Sequence, residues 1–424
     1  MISHSPHPSY SRLVDRLNRF PQGAAPTETL YKILAMLFSE REAELVSVLP
    51  IQSFTTEKAS KIWKMSLVET QKTLDELAGR ALIVDSVIKG KQIYTMPPPM
   101  AGFFEFSMMR LRDDVDQQVL GELFYQYCNV EDDFIESLFT DGSTQLGRVY
   151  VNEPVLPPET HVLDYERSSE VIKTATHIGI GICYCRHKME KVGKDCDAPK
   201  EICMTFNGVA QSLIKYDYAR QVDVAEGLDL LQEAYENNLV QFGENEREEV
   251  NFICNCCGCC CEGLIAARRF AAMRPIHTSN FIPEVADEKC TGCGKCVNVC
   301  PVEAMTFVSA NDPHKPKLKK AKLDEDICLG CGICARVCDQ DGIKLVARAE
   351  RLLTPKTFAH RAVLMAVERN KLQHLIFDDR TRRSHRVMAA VFGAILKLPP
   401  LKRALASKQL HSRYLEGLID RAAY

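Results

Sequence analysis

At 424 residues the chain is long enough for two to four domains, each with a core of its own. Its 19 cysteines are clustered, its first 26 residues hold no apolar h-region, and its longest apolar run has ten residues, at 387–396. These features argue against secretion or a membrane span and for a cytoplasmic protein whose thiols bind metal. The net charge of −3 hides an asymmetry: residues 344–424 carry 17 basic and 6 acidic side chains, and the remainder carries 36 and 50.

In chain order, residues 1–26 read as a flexible N-terminus. TETLYKILAMLFS predicts a helix, with Leu30, Ile33, Leu34 and Leu37 at helical spacing and Thr27 as N-cap. EREAELVSVL predicts a second helix stopped at Pro50, and TTEKASKIW a third. SLVETQKTLDELAGR follows with Ser66 as cap and Leu67, Thr70, Leu74 and Leu77 on one face. ALIVDSVIKGKQIYTM then predicts two short strands around Lys89-Gly90-Lys91. Helices followed by a hairpin resemble a winged-helix domain over 27–98, bounded by the triple proline 97–99. As a DNA reader this region is poor, because its last helix sets Lys72 and Arg80 against Glu69, Asp75 and Glu76. A protein-docking or scaffold role is the preferred expectation. Residues 99–160 predict a helical connector (FFEFSMMRLRDDVDQQVLGELFYQYC, VEDDFIESLF), with Cys128 in its core.

Residues 161–282 read as a small cysteine-rich α/β unit. DYERSSEVIKTAT and DVAEGLDLLQEAYENN are helical, the latter with Asp223 as cap and Leu228, Leu231 and Ala234 inward. HIGIGICYCR reads as a strand running into a metal loop, and NLVQFGEN as a strand. Cys183, Cys185, Cys196 and Cys203 have the spacing C-x-C-x10-C-x6-C, and CNCCGCCC supplies Cys254, Cys256, Cys257, Cys259, Cys260 and Cys261. Six thiols in eight positions exceed what one four-ligand cluster accepts, and neighbours on an extended chain point to opposite sides. Both groups are expected to fold together around one or more further iron–sulfur clusters, with zinc and with redox-active or structural thiols as alternatives. Arg186 is placed to offset cluster charge, and His187 reads as a bystander.

DEKCTGCGKCVNVCP and EDICLGCGICARVCD repeat at an offset of 38 residues, each as C-x2-C-x2-C-x3-C. Three thiolates two residues apart can wrap one face of a [4Fe–4S] cubane, while the fourth reaches the other cluster. The expected ligands are therefore Cys290, Cys293, Cys296 and Cys338 for cluster I, and Cys328, Cys331, Cys334 and Cys300 for cluster II. Zinc prefers separated C-x2-C knuckles and fits this pattern less well. The repeats resemble the bacterial-type two-cluster ferredoxin family over about 283–346, which implies a pseudo-twofold α+β fold with two [4Fe–4S] clusters. One departure from the family pattern is Asp339, where the first repeat has Pro301. KPKLKKAKLDED (315–326) predicts a basic surface hairpin between the repeats.

Residues 347–424 form a basic helical tail. Val387, Val391, Ile395 and Leu396, edged by Arg382, Arg383, Arg386, Lys397, Lys402 and Arg403, predict an apolar stripe. It is expected to pack on the protein's own body; peripheral contact with the inner face of a membrane is the other reading. The whole is thus an α+β multidomain chain. In overall pattern it resembles multidomain ferredoxin-like proteins of anaerobic bacteria, which implies a low-potential cytoplasmic setting. The expected function is transfer of single electrons between donor and acceptor oxidoreductases. Two alternatives stay open: an oxidoreductase with an active-site cluster within 183–261, and a redox-sensing DNA-binding regulator.

Overall fold

The computed structural model describes residues 7–140, 142–158, 160–270, 278–311, 313–314 and 316–397. By contacts the chain divides into two compact units. Unit 1 is Met1–Thr144 with Gly208–Arg220 and Lys356–Tyr424, and unit 2 is Gln145–Asn207 with Gln221–Pro355.

Unit 1 opens with helix α1 (Pro8–Leu17), inside the stretch read from sequence as flexible. Its buried apolar stripe is narrow (Leu13, Val14, Leu17), and its anchor is polar. The buried Arg16 guanidinium donates from Nε to the carbonyl of Leu49 at 2.9 Å and from Nη2 to that of Pro50. Hydropathy cannot reveal such a carbonyl-capturing arginine. Helix α2 (Glu28–Leu37) starts at Thr27, whose hydroxyl accepts from the Leu30 amide, as its sequence predicts. Helices α3 (Glu40–Ser47) and α5 (Leu67–Gly79) open with reciprocal capping boxes, Ser39 with Glu42 and Ser66 with Glu69; α4 (Thr56–Trp63) is capped by Thr55. Strands β1 (Val84–Ile88) and β2 (Lys91–Thr95) pair antiparallel across Lys89 and Gly90, both at positive φ, as a tight two-residue hairpin needs. Phe54 bridges Tyr94, adding a short third segment to that hairpin.

The connector is less helical than expected. A short turn α6 (Phe104–Phe106), α7 (Gln117–Tyr125) and α8 (Asp133–Thr140) replace a continuous helix. The break falls at 111–116, where Asp116 accepts from the amides of Gln118 and Val119 to cap α7 and Asp114 pairs with Arg112. Cys128 is buried, as predicted. Helix α11 (Asn207–Lys215) contributes Ser212 and Lys215, which hold Asp85 at 2.8 and 2.6 Å. Three tail helices follow: α16 (Phe358–Glu368), α17 (Leu372–Ile376) and α18 (Arg383–Leu396). They share a core of Val363, Ala366, Val367, Leu372 and Leu396. The predicted stripe on α18 is split: Leu396 is buried, whereas Val387, Val391 and Ile395 are exposed. The face that packs is Ala389, Gly393 and Leu396, because small residues let the helix approach closely. Lys402 and Arg403, read as part of the basic edge, lie outside the described residues. Among the described residues no helix is long and apolar enough to cross a membrane.

Unit 2 is organised by a six-stranded sheet in the order β3-β7-β8-β5-β4-β6. Its strands are β3 (Gly147–Val149), β4 (Ile178–Ile182), β5 (Glu201–Phe206), β6 (Arg220–Val222), β7 (Val240–Glu244) and β8 (Phe252–Cys256). The pairs β3–β7, β7–β8, β8–β5 and β5–β4 are antiparallel, so the unit is of the α+β kind rather than the α/β kind expected. Helices α9 (Ser168–Thr174) and α12 (Val224–Glu236) give Ile172, Leu231 and Tyr235 to a core with Ile178, Ile180, Met204 and Ile253 of the sheet. Asp223 caps α12, and Leu231 and Ala234 are buried, as read from sequence. A second apolar cluster joins Val149 and Val240 to Leu264 and Ala267 of α13 (Glu262–Arg269) and to Val302, Ala304 and Leu329. The repeats add β9 (Phe281–Val285) paired with β12 (Ile343–Ala347), and β10 (Met305–Ser309) paired with β11 (Lys319–Leu323). The helical turns α14 (Lys295–Asn298) and α15 (Ile333–Arg336) complete them. The basic insertion therefore does contribute one strand of a hairpin.

Candidate metal centres

The two repeats build the same turn. Gly292 and Gly330 both have φ +70°, Gly294 and Gly332 have +85° and +86°, and α14 and α15 start directly after the second glycine. A Cβ on Gly292 would overlap the Lys319 carbonyl oxygen, and one on Gly330 that of Phe281. Only glycine satisfies both the left-handed backbone and the close approach.

Cys290, Cys293 and Cys296 of the first repeat line one cavity together with Cys338 of the second. In the other group the thiols of Cys328, Cys331, Cys334 and Cys300 are electrostatic neighbours. Burial pushes Cys331 up to about 12 and Cys328 up to about 11, so these thiols stay protonated until a metal displaces the proton. Backbone amides point at the sulfurs: Ala304 to Cys300 at 3.2 Å, Ala321 to Cys290 at 3.4 Å and Gly330 to Cys328 at 3.4 Å. Such donors stabilise anionic sulfur. The four ligands of a cubane sit on different irons, with their sulfurs roughly 6 Å apart. The all-cysteine donor set and the glycine turns fit two cubanes.

The remaining ten site cysteines sort into two groups, and the sorting cuts across the sequence. Cys196, Cys257, Cys259 and Cys260 hold all four sulfurs within 4.8 Å of one another. Cys183, Cys185, Cys261, Cys256, Cys254 and Cys203 form a chain of successive thiol contacts in that order, ending with 3.8 Å between Cys254 and Cys203. Each group therefore draws on both sequence clusters. Strand alternation starts the division: Cys254 and Cys256 lie on one face of β8, opposite Ile253 and Asn255. A turn over Gly258–Cys260 then carries Cys257, Cys259 and Cys260 to the compact group, and Cys261 returns to the chain of six.

The two interruptions of CNCCGCCC are explained by packing. Buried Asn255 donates from Nδ2 to the Ile202 carbonyl at 2.9 Å and accepts from Gln241 at 3.1 Å, pinning β8 to its neighbours. Gly258 lies against the first repeat, where a Cβ would come 2.7 Å from the Pro301 carbonyl oxygen. The metal loop expected after β4 is instead a helix, α10 (Tyr184–Lys191), with Cys183 as its N-cap; Cys261 occupies the same position before α13. Contacts from Cys185 and Cys256, and the amides of Leu264 and Gly263, hold the Cys261 thiol well below its ordinary range. A helix start favours thiolate for this reason.

Arg186 is completely buried, donating to the carbonyls of Pro199 at 2.8 Å and Asn255 at 2.9 Å. Burial opposes its charge, but Cys183, Cys257, Cys256 and Cys196 outweigh it and raise its pKa, so it serves both groups as counter-charge. Sequence reasoning missed a second buried charge, the ion pair of Lys188 with Glu262 at 2.6 Å, to which Tyr184 donates from its hydroxyl at 3.2 Å. Its one sequence signal is position: Glu262 directly follows Cys261, and Lys188 lies one turn after Cys185. His187 is buried.

Residues 289–341 match the family model of the 4Fe-4S dicluster domain, so the repeats form an iron–sulfur, ferredoxin-type domain. No curated protein and no solved structure matches the chain.

Proposed function

We propose that the protein is a cytoplasmic electron carrier, or a subunit of an oxidoreductase, that passes single electrons between a low-potential donor and a partner protein. Cys290, Cys293, Cys296 and Cys338 hold one [4Fe–4S] cluster, and Cys328, Cys331, Cys334 and Cys300 hold the other. The chain of six, Cys183, Cys185, Cys203, Cys254, Cys256 and Cys261, holds a further iron–sulfur centre. When bound, such clusters supply one-electron chemistry at potentials set by their surroundings.

The observation that carries the reading is continuity. One apolar cluster contains Cys254, Cys256 and Cys261 of the six-thiol group together with Cys300 of the first repeat and Cys328 and Cys331 of the second, three of the four ligands of the second cluster. The chain's part is to exclude water there, to hold the two sets of sulfurs adjacent, and to tune them with amide donors and with Arg186. The winged-helix-like region serves docking in this reading. Helix α5 exposes Leu67 and Val68, pairs Lys72 with Glu76, and has both ends of Gln71 occupied by Thr56 and Asp75, leaving little for base edges.

Iron, acid-labile sulfide and EPR on anaerobically purified protein test the proposal. Wild type should hold more than the roughly eight irons of two cubanes. The pair Cys183→Ser/Cys261→Ser should remove the excess iron together with its sulfide and leave the ferredoxin signals. Roughly eight irons in both proteins would overturn the third centre. Specific retention of a DNA sequence would overturn the docking role of unit 1.

A further inference from the structure

A single tetrahedral metal ion places its ligands differently from a cubane. With metal–sulfur bonds of about 2.3 Å, the edges of the ligand tetrahedron are about 3.8 Å. Three edges of the compact group have that length, and all six are within 4.8 Å. Cys196 lies 3.7 Å from Cys257 and 3.8 Å from Cys260, and Cys260 lies 3.7 Å from Cys259. It is the sole group of its kind among the described residues; the eight repeat cysteines show none.

We propose that Cys196, Cys257, Cys259 and Cys260 bind one divalent, thiophilic ion without sulfide, and that the ion is zinc. Four thiolates close the coordination shell, leaving no position for substrate or water, which is the arrangement of a structural zinc site. The net charge of such a centre is −2, and the guanidinium of Arg186, fixed by the carbonyls of Pro199 and Asn255 in the two flanking segments, is within electrostatic reach to offset it.

The surroundings say what the ion holds. Residues 192–200, between α10 and β5, have no regular helix or strand, and every one of them is half-buried or exposed. A segment without a buried side chain has little apolar burial to fix it. Cys196 is its tie to the Gly258–Cys260 turn, and that turn in turn rests on Pro301 through Gly258. Other ties of the loop, Pro199 to Arg186 and Lys200 to Cys183 and Glu190, lie at its β5 end, so zinc at Cys196 would fasten its middle to the turn that rests on the first repeat. The site is a staple beside the electron path and takes no part in carrying electrons, since zinc has no accessible redox step.

The test uses the full chain purified anaerobically, with zinc, iron and sulfide measured on the same sample. Wild type should carry one zinc per chain, and X-ray absorption at the zinc edge should show four sulfurs at about 2.3 Å with no iron neighbour. Cys257→Ser/Cys260→Ser should lose that zinc and keep wild-type iron and sulfide. Should that variant fail to fold, Cys259→His, which retains a ligand, should keep the zinc with three sulfurs and one nitrogen at its edge. Loss of iron and sulfide together from the double variant would overturn the proposal by making these cysteines cluster ligands. Loss of one iron without sulfide would overturn zinc as the occupant. Wild-type protein with neither zinc nor sulfide-free iron would overturn the site altogether. The proposed third iron–sulfur centre is judged separately, by the iron and sulfide of the Cys183→Ser/Cys261→Ser pair.

Discussion

The buried pair of Lys188 and Glu262 offers the sharpest test of how unit 2 is held together. The two side chains are 0% and 3% exposed and meet at 2.6 Å. At that separation their attraction is about 6 kcal/mol for an effective dielectric near 20. Removing each ion from water costs several kcal/mol, so the intact pair sits near balance. Breaking it is another matter, because the survivor keeps its desolvation cost and loses its partner. Glu262→Gln and Lys188→Met should therefore each destabilise unit 2 by about 3–5 kcal/mol, while Lys188→Met/Glu262→Leu should fall within about 2 kcal/mol of wild type. The pair joins α10 to α13, the two helices that begin at Cys183 and Cys261, so the single variants should also lose iron from the six-thiol group first. The assay is the urea midpoint of the anaerobic protein, with iron content read on the same samples. Single variants within about 1 kcal/mol of wild type, or a double variant as damaged as the sum of the singles, would refute the reasoning.

Three further outcomes are expected. Gly330→Ala should abolish loading of one ferredoxin cluster, because its φ is +70° and the added methyl would collide with the Phe281 carbonyl; Gly90→Ala, at φ +75° with open space around it, should cost only about 1–2 kcal/mol and leave iron content unchanged. Asp339 sits beside Cys338 in the lining of the cavity shared with Cys290, Cys293 and Cys296, and with the proposed cluster there its neutralisation should favour the reduced, more negative state. Asp339→Asn should raise one cluster potential by roughly 40 mV, about 1 kcal/mol for one electron, as read by EPR-monitored titration; a drop would contradict the placement. His374 is pushed down to about 4 by burial and by Arg19, Arg380 and Lys371. Its folded pKa lies below its unfolded one, so it contributes stability that is present above about 6.5 and lost as pH falls toward 4. His374→Gln should flatten the fall in urea midpoint of unit 1 across that window; an unchanged slope would count against it.

What could be read from sequence followed from how local each feature is. Caps and periodicity belong to neighbouring residues, so Thr27, Ser66 and Asp223 announced their helices, and Lys89-Gly90 announced its hairpin. The C-x2-C-x2-C-x3-C repeats are equally local, and a family match over 289–341 supports the iron–sulfur reading. Helix α1 was illegible because its anchor, Arg16, acts on carbonyls more than thirty residues away. The break at 111–116 was hidden because Asp116 works as a cap inside a stretch whose hydropathy still looks helical.

The ten upstream cysteines show the limit most clearly. Counting thiols established that CNCCGCCC exceeds the needs of one four-ligand centre, and strand alternation hinted at two directions. Neither could say that Cys196 leaves its sequence neighbours Cys183, Cys185 and Cys203 to join Cys257, Cys259 and Cys260. That partition depends on the α10–β5 loop crossing to the Gly258–Cys260 turn, a long-range event with no local signature. It also changes the chemistry. Four sulfurs all within 4.8 Å of one another converge on a single point suited to one ion, whereas the six sulfurs are linked in succession and offer more ligands than one ion takes. Spacing along the chain ranks metals by ligand type, and spacing between sulfurs ranks them by nuclearity. Here the second measure divides a motif that the first treats as one.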